Sequence, residues 1–213
     1  MKSCIFDLDG VLVDSAKYHY LAWKALADKL GFVFTEKDNE RLKGVSRMKS
    51  LEILLEIGKI TMSDGEKEQA AAEKNELYRS YISKMTPEEI LPGVENFLKE
   101  LKSLGIKTAI GSASKNTPLI LERTGLKKYF DAVADGTNVS KAKPDPEVFL
   151  KGAELLKVAP ETCIVFEDAA AGVEAAHRAG MKAVGIGDKT VLNEADLVIP
   201  NFVGVTSDIL QKI

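Results

Sequence analysis

The sequence has 213 residues, of which 45% are hydrophobic and 29% charged, with a formal net charge of −3 at pH 7. This length and balance are typical of a globular chain that buries a sizeable core. There is no basic block and no apolar run of membrane-spanning length, so we expect neither a nucleic-acid partner nor a membrane partner.

The first predicted element is a buried strand, Lys2 to Phe6, which runs directly into Asp7-Leu8-Asp9-Gly10. Open α/β sheets bind their ligands beyond the carboxyl ends of the strands, where these two acids would lie. A turn at Gly10 would let both acids face one site. Taken alone, the tetrapeptide is also compatible with an ordinary turn carrying solvated acids. An EF-hand calcium loop is excluded, because Val11 stands where that loop needs an oxygen ligand.

The stretch from residue 15 to residue 86 predicts only helices. Apolar residues recur at helical spacing in three stripes: Trp23, Leu26, Ala27 and Leu30; Leu51, Leu54 and Leu55; and Leu77, Tyr78, Tyr81 and Ile82. Gly31 is well placed to end the first helix. Ser63 and Glu66 resemble a capping box at the start of the third.

After Pro87 the pattern changes to alternating helices and strands. We predict strands at about 106–110, 131–134, 162–166, 183–186 and 197–199, with helices starting near Val94, Thr117 and Asp145 and after Asp168. Such alternation indicates an α/β fold with a Rossmann-like, doubly wound parallel sheet. Residues 1–14 and 87–213 are thus predicted to form the catalytic core, and residues 15–86 an inserted α-helical cap domain.

Polar side chains collect at the predicted strand ends: Asp7, Asp9, Ser112, Lys143, Glu167 and Asp168. The carboxylates form a hard oxygen site suited to Mg²⁺, whereas a lysine and a hydroxyl suit phosphate oxygens. A carboxylate aimed at phosphorus can also act as a nucleophile. Each residue has a plainer interpretation: Ser112 as a turn cap, Lys143 as a surface lysine, and Glu167 with Asp168 as helix N-terminal acids. Together they favour a site for phosphate and magnesium.

The motifs at these strand ends resemble those of the haloacid dehalogenase superfamily of phosphotransferases. They are Phe6-Asp7-Leu8-Asp9-Gly10-Val11-Leu12, Ser112-Ala113-Ser114, Lys143-Pro144-Asp145-Pro146 and Phe166-Glu167-Asp168. The resemblance covers essentially the whole chain, and it implies the same α/β core with a helical cap inserted after the first motif.

Other segments resemble the β-phosphoglucomutase family within that superfamily. They are Tyr18-His19, Ala22-Trp23-Lys24-Ala25-Leu26-Ala27, Leu42-Lys43-Gly44-Val45-Ser46-Arg47, Lys74-Asn75 and Ser112-Ala113-Ser114-Lys115-Asn116. The resemblance implies interconversion of β-glucose 1-phosphate and glucose 6-phosphate through a bound 1,6-bisphosphate. Phosphatases of the superfamily share the core motifs, so a phosphatase acting on a small sugar or polyol phosphate is the alternative.

In the core, the resemblance implies that Asp7 is the nucleophile that carries the phosphoryl group. Asp9 is then the general acid/base, and its backbone carbonyl binds Mg²⁺ together with Asp7, Glu167 and Asp168. The transferring phosphate is held by residues of the second and third motifs, with one asparagine close by: Ser112, Ala113, Lys143 and Asn116.

In the cap, the resemblance assigns Arg47 to the second, non-transferring phosphate, because guanidinium binds phosphate bidentately. The remaining cap residues are expected to contact or position the sugar phosphate: His19, Trp23, Lys43, Lys74 and Asn75. Gly44, Val45 and Ser46 form a predicted specificity loop. Ser15 occupies the expected hinge, and its hydroxyl is expected to supply capping there. From the residues alone, His19, Arg47 and Lys74 would be taken for helix-surface residues.

Both cysteines, Cys4 and Cys163, fall in predicted buried strands and are interpreted as core residues. With no signal-peptide pattern at the N-terminus, we expect a reducing, cytoplasmic location. We expect a monomer. A non-catalytic role is disfavoured, because unused clustered carboxylates repel one another.

Overall fold

The computed structural model describes residues 2–42 and 45–213. Its sheet has six strands: β1 (Ser3–Phe6), β2 (Thr108–Gly111), β3 (Ala132–Ala134), β4 (Cys163–Glu167), β5 (Lys182–Ile186) and β6 (Leu197–Ile199). The strands run parallel in the order β3-β2-β1-β4-β5-β6. The predicted α/β fold is confirmed. Because β1 lies between β2 and β4, its carboxyl end opens at the middle of one sheet edge.

Eight α-helices accompany the sheet in the described residues: α1 (Ala16–Lys29), α2 (Glu36–Asn39), α3 (Arg47–Gly58), α4 (Asp64–Ile82), α5 (Val94–Ser103), α6 (Thr117–Thr124), α7 (Glu147–Leu156) and α8 (Ala170–Arg178). We call residues 16–82, which contain α1–α4, the helical segment, and the rest the sheet core. None of the helices in the described ranges combines the length and hydropathy needed to traverse a bilayer.

Both faces of the sheet are covered, as the apolar run of β1 predicts for a parallel sheet. Phe6 packs into the apolar cluster on one face and stacks on Phe166 with ring centroids 4.6 Å apart. Ile5 points to the opposite face and packs with Phe149. Cys4 and Cys163 are buried free thiols, which confirms their interpretation as core residues.

The helical segment has an apolar core of its own, formed by residues of the predicted stripes that include Trp23, Leu26, Leu51 and Leu54. As predicted, the described part of residues 15–86 contains helices and no strand. The predicted capping box is confirmed: Ser63 Oγ accepts a hydrogen bond from the backbone of Glu66, whose side chain accepts one from the Ser63 backbone. The domain boundaries at 14/15 and 86/87 stay a prediction.

Two local predictions were wrong. The second strand does not include Ile106, because its N–H donates to the Leu101 carbonyl and thereby closes the end of α5. Ser15 does not cap α1 with its side chain, and its hydroxyl donates to the Asp9 carboxylate. A capping hydroxyl accepts a backbone N–H bond from an extended N-cap residue, whereas the Ser15 backbone is already in the right-handed helical region, with φ −99° and ψ −11°.

Candidate active site

A cavity of about 620 Å³ lies where the carboxyl edge of the sheet meets the helical segment. Most of the predicted site residues line it. From the sheet core these are Asp7, Asp9, Ser112, Ala113, Asn116, Lys143, Glu167 and Asp168; from residues 16–82 they are His19, Trp23, Val45, Ser46, Arg47, Lys74 and Asn75. Lys43 and Gly44, also predicted for this site, lie outside the described residues.

The turn after β1 presents both aspartates to this cavity. Leu8, between Asp7 and Asp9, is fully buried, whereas both acids line the cavity wall. The turn depends on Gly10, whose φ of +82° lies in the left-handed region that favours glycine. A Cβ at Gly10 would lie 2.2 Å from Asp168 Oδ2. The missing side chain therefore lets the end of β1 approach the end of β4 closely.

Lys143 joins two of these strand ends from the loop before α7. Its Nζ donates to Asp7 Oδ1 at 2.6 Å and to Glu167 Oε2 at 2.7 Å, and the residue is buried. Burial alone would lower the pKa of Lys143, but the Asp7 and Glu167 carboxylates raise it above its ordinary value. Lys143 is therefore a permanent buried cation, and its interpretation as a surface lysine is wrong.

Three carboxylates form an acidic cluster that could bind a metal ion. One oxygen from each of Asp7, Glu167 and Asp168 lies within 4.8 Å of the others. Burial raises the pKa of Glu167 to about 7, although Lys143 opposes the shift. One lysine offsets only part of the charge of three carboxylates. Hard oxygen donors with excess negative charge fit a divalent cation such as Mg²⁺.

Asp9 is held by two hydroxyl groups. Ser15 Oγ and the Tyr78 hydroxyl both donate to its Oδ1 atom, the latter at 3.4 Å. Burial, and next the charge of Asp7, raise the pKa of Asp9 to about 6. A carboxyl group with a pKa near neutrality can both give and take a proton at physiological pH. Asp9 thus has the properties of a general acid/base.

Sequence reasoning placed Tyr78 only in an apolar stripe and missed its polar contact with Asp9. The signal that could have found it is the spacing from Lys74, since residues four apart lie on the same helix face. Lys74 Nζ is 3.0 Å from His19 Nδ1 and 4.3 Å from the centroid of the Trp23 ring. The His19 ring stacks on Tyr78 at 4.0 Å. His19, Trp23, Lys74 and Tyr78 thus form one packed group beside Asp9.

The charge state of this group follows from its burial. Burial, and next the charge of Arg47, lower the pKa of Lys74 to about 7. Burial, and next Lys74, lower the pKa of His19 well below its ordinary value. Neutral His19 can therefore accept the hydrogen bond from Lys74. Their interpretation as solvated surface residues is wrong, because Lys74 is buried and His19 half-buried.

Arg47 begins α3 and lines the same cavity. Ser46 precedes it in an extended conformation and caps the helix by accepting a hydrogen bond from the Lys49 N–H. Burial lowers the pKa of Arg47, but a guanidinium group stays charged at any physiological pH. The N-cap at Ser46 thereby holds the Arg47 cation on the cavity wall formed by the helical segment.

Ser112 lies on the cavity wall and also stabilises the turn that follows β2. Its Oγ accepts a hydrogen bond from the Ser114 N–H at 3.3 Å. Two residues further on, Asn116 is buried, and its Nδ2 donates to Asn75 Oδ1 at 3.0 Å. Arg79, which sequence reasoning did not select, donates to Asn116 Oδ1 at 3.1 Å. These bonds tie α4 to the loop after β2.

Comparison with known proteins decides the family. The haloacid dehalogenase-like hydrolase model matches residues 1–180. The chain belongs to the haloacid dehalogenase-like hydrolase family.

Several relatives of this haloacid dehalogenase-like hydrolase are known. The chain is 44% identical over 214 residues to β-phosphoglucomutase of Bacillus subtilis, covering 100% of the chain and 95% of that protein. It is 35% identical over 187 residues to a phosphorylated carbohydrates phosphatase of Thermotoga maritima, covering 86% and 84%. The crystal structure of β-phosphoglucomutase from Clostridium difficile superposes with a TM-score of 0.93 at 43% identity, covering 100% and 96%.

Proposed function

We propose that the chain is a Mg²⁺-dependent β-phosphoglucomutase, which interconverts β-D-glucose 1-phosphate and D-glucose 6-phosphate. The observation that carries the proposal is the 44% identity to the Bacillus subtilis enzyme along the whole chain. The cavity supports it, because Lys143 lies on its sheet side and Arg47 on its helical side. A sugar bisphosphate needs a cation at each end.

Asp7 would be the nucleophile. One of its carboxylate oxygens forms a bond to phosphorus while the bond from phosphorus to the sugar oxygen breaks, which leaves an aspartyl-phosphate. Lys143, 2.6 Å from Asp7 Oδ1, would offset the charge that otherwise repels an anionic nucleophile from an anionic substrate. Ser112, Ala113 and Asn116 would complete the phosphate pocket around it.

Asp9 would move the proton. When the phosphorylated enzyme meets β-glucose 1-phosphate, Asp9 accepts the proton of the C6 hydroxyl as that oxygen takes the phosphoryl group. After the bisphosphate has turned end for end, Asp9 gives the proton to the C1 oxygen as Asp7 takes the other phosphoryl group. Ser15 and Tyr78 both bind Oδ1, so Oδ2 is the oxygen that would exchange the proton.

The metal site belongs to the same proposal. Asp7, Glu167 and Asp168, whose oxygens cluster within 4.8 Å, would hold Mg²⁺ together with the backbone carbonyl of Asp9. When bound, Mg²⁺ supplies positive charge that stabilises the phosphoryl group during transfer.

The helical segment would hold the part of the substrate that does not react. Arg47 would bind the second phosphate, and Lys74, Asn75, His19 and Trp23 would contact or position the sugar. Together with residues 1–14 and 87–213 as the core, residues 15–86 would act as a cap that excludes water while the bisphosphate turns. Lys43 and Gly44 stay assigned by resemblance, as does a hinge at Ser15.

The decisive experiment is a coupled assay with Mg²⁺ and a trace of β-glucose 1,6-bisphosphate, in which glucose 6-phosphate is oxidised by its dehydrogenase. We expect turnover of β-glucose 1-phosphate and little of the α-anomer, with no activity in the Asp7→Asn control. Absence of glucose 6-phosphate from the β-anomer would refute the proposal.

A sugar-phosphate phosphatase is the second candidate, favoured by the 35% identity to the Thermotoga maritima phosphatase. The same assay decides between them when inorganic phosphate is measured in parallel. Phosphate release as fast as isomerisation would establish the phosphatase. A cytoplasmic location and a monomeric state stay predictions, the second testable by light scattering.

A further inference from the structure

Helix α4 presents two neighbouring polar stripes to different parts of the molecule. Lys74 and Tyr78, four residues apart, face His19 and Asp9. Asn75 and Arg79 have the same spacing one position later, so they form the adjacent stripe. That second stripe faces the sheet core, where both of its members hydrogen-bond to Asn116.

The chain of hydrogen bonds through Asn116 has a fixed direction. Arg79 Nη1 donates to Asn116 Oδ1 at 3.1 Å, and Asn116 Nδ2 donates to Asn75 Oδ1 at 3.0 Å. An arginine side chain can only donate, so Arg79 requires the amide oxygen of Asn116 to face it. The amide nitrogen must then face Asn75, which lines the cavity. Arg79 therefore determines the orientation of the amide of a residue that lines the cavity.

Asn116 is well suited to be held in this way. It is buried, it lines the cavity, and although it is the N-cap residue of α6 its side chain makes no capping bond. Its amide is therefore available for contacts across the cleft. Arg79, by contrast, is exposed and lies outside the residues that line the cavity. Arg79 can act on a substrate through Asn116 and not by touching it.

We propose that Arg79 is a positioning residue, which orients the Asn116 amide for a sugar phosphate and latches the helical segment onto the sheet core before substrate binds. The first half rests on the proposed function, because it takes Asn116 as a phosphate-site residue. The latch itself depends only on the two hydrogen bonds.

The kinetic test uses Arg79→Met, which keeps the length of the side chain and removes its donors. We expect KM for β-glucose 1-phosphate to rise about 3- to 10-fold with kcat within about 2-fold of wild type, since one hydrogen bond to a neutral amide is lost. Arg79→Lys, which can still donate, should restore most of the affinity.

A double variant shows whether Arg79 acts through Asn116. In an Asn116→Ala background, Arg79→Met should raise KM no further, because the group that it orients is gone. An equal rise in both backgrounds would overturn the positioning role. Arg41→Met is the matched control: Arg41 also bonds a single acceptor at 3.1 Å, but its partner Glu56 lies within the helical segment. Its KM should not change.

The latch is tested without turnover, by amide hydrogen exchange on the ligand-free protein. We expect Arg79→Met, and not Arg41→Met, to speed exchange in the peptides around residues 74–79 and 112–117. Unchanged exchange in Arg79→Met would overturn the latch even if the protein is an active mutase. If wild type makes no glucose 6-phosphate, the proposed function falls, while faster exchange in Arg79→Met would still support the latch.

Discussion

Replacing Gly10 with alanine should separate the geometry of the site from the stability of the fold. Its φ of +82° makes any side chain unfavourable by about 1–2 kcal/mol. In addition, the new Cβ would lie 2.2 Å from Asp168 Oδ2, whereas ordinary contacts begin at 3.4 Å. Asp168 must therefore retreat by about 1 Å, a displacement that in an active site can reduce the rate about 100-fold.

Gly31→Ala provides the matched control. Gly31 has a φ of +86°, and a Cβ there would meet nothing within 4 Å. We expect both variants to lose about 1–2 kcal/mol of unfolding free energy in urea. Only Gly10→Ala should lose activity, and it should need more Mg²⁺ for half-maximal rate, since Asp168 belongs to the acidic cluster.

The assay is the coupled measurement of glucose 6-phosphate, with Mg²⁺ varied at saturating substrate. Activity of Gly10→Ala within about 3-fold of wild type would refute the reasoning, because it would mean that Asp168 moves without consequence. An equal loss of activity in Gly31→Ala would also refute it, since that variant shares only the backbone strain.

Three further predictions concern Asp7, Tyr78 and Lys74. Asp7→Asn should lower kcat by at least about 1,000-fold, because it removes the proposed nucleophile, while glucose 6-phosphate still changes the fluorescence of Trp23, the single tryptophan; an active Asp7→Asn protein would contradict the proposed mechanism. Tyr78→Phe removes a long hydrogen bond to Asp9 and should lower kcat about 2- to 10-fold with little change in KM; a change confined to KM would contradict the assignment to Asp9. The pKa of Lys74 is lowered to about 7, so Lys74 binds its proton more weakly in the folded than in the unfolded state. Burial of charged Lys74 therefore lowers the free energy of unfolding by its full amount below pH 7, and this loss declines as the pH rises towards 10.5. Wild type should therefore gain stability relative to Lys74→Met between pH 7 and pH 9 in urea unfolding, by at most about 1.4 kcal/mol per pH unit; a difference that is constant or falls with pH would contradict the lowered pKa.

The fold was predictable because its signals are local. Continuous apolar runs ending at Asp7 and at Glu167 predict strands buried on both faces, and the helical stripes between them predict the inserted segment. The ends of helices and strands were less predictable where a backbone N–H could bond either within a helix or within the sheet. Ile106 has the composition of a strand residue, but its N–H completes the end of α5.

The site was predictable on the sheet side and less so on the helical side. Parallel strands bring their carboxyl ends to one edge, so Asp7 and Glu167 could be grouped without knowing the packing. Tyr78 and Arg79 could not be found in this way, because their partners Asp9 and Asn116 lie on distant parts of the chain. Which face of α4 meets which strand end depends on tertiary packing that local patterns do not encode.

The central position of β1 has a consequence for synthesis of the chain. Asp7, the proposed nucleophile, follows β1, which is synthesised before the other five strands of this sheet. The two neighbours of β1 are β2 at Thr108–Gly111 and β4 at Cys163–Glu167. Pairing over such separations is slow, because a long loop must close before any contact forms. The helical segment, with its own apolar core, is complete before either neighbour exists. The cavity wall formed by the helical segment therefore folds early, whereas the strand ends that carry Asp7 and Glu167 come together last.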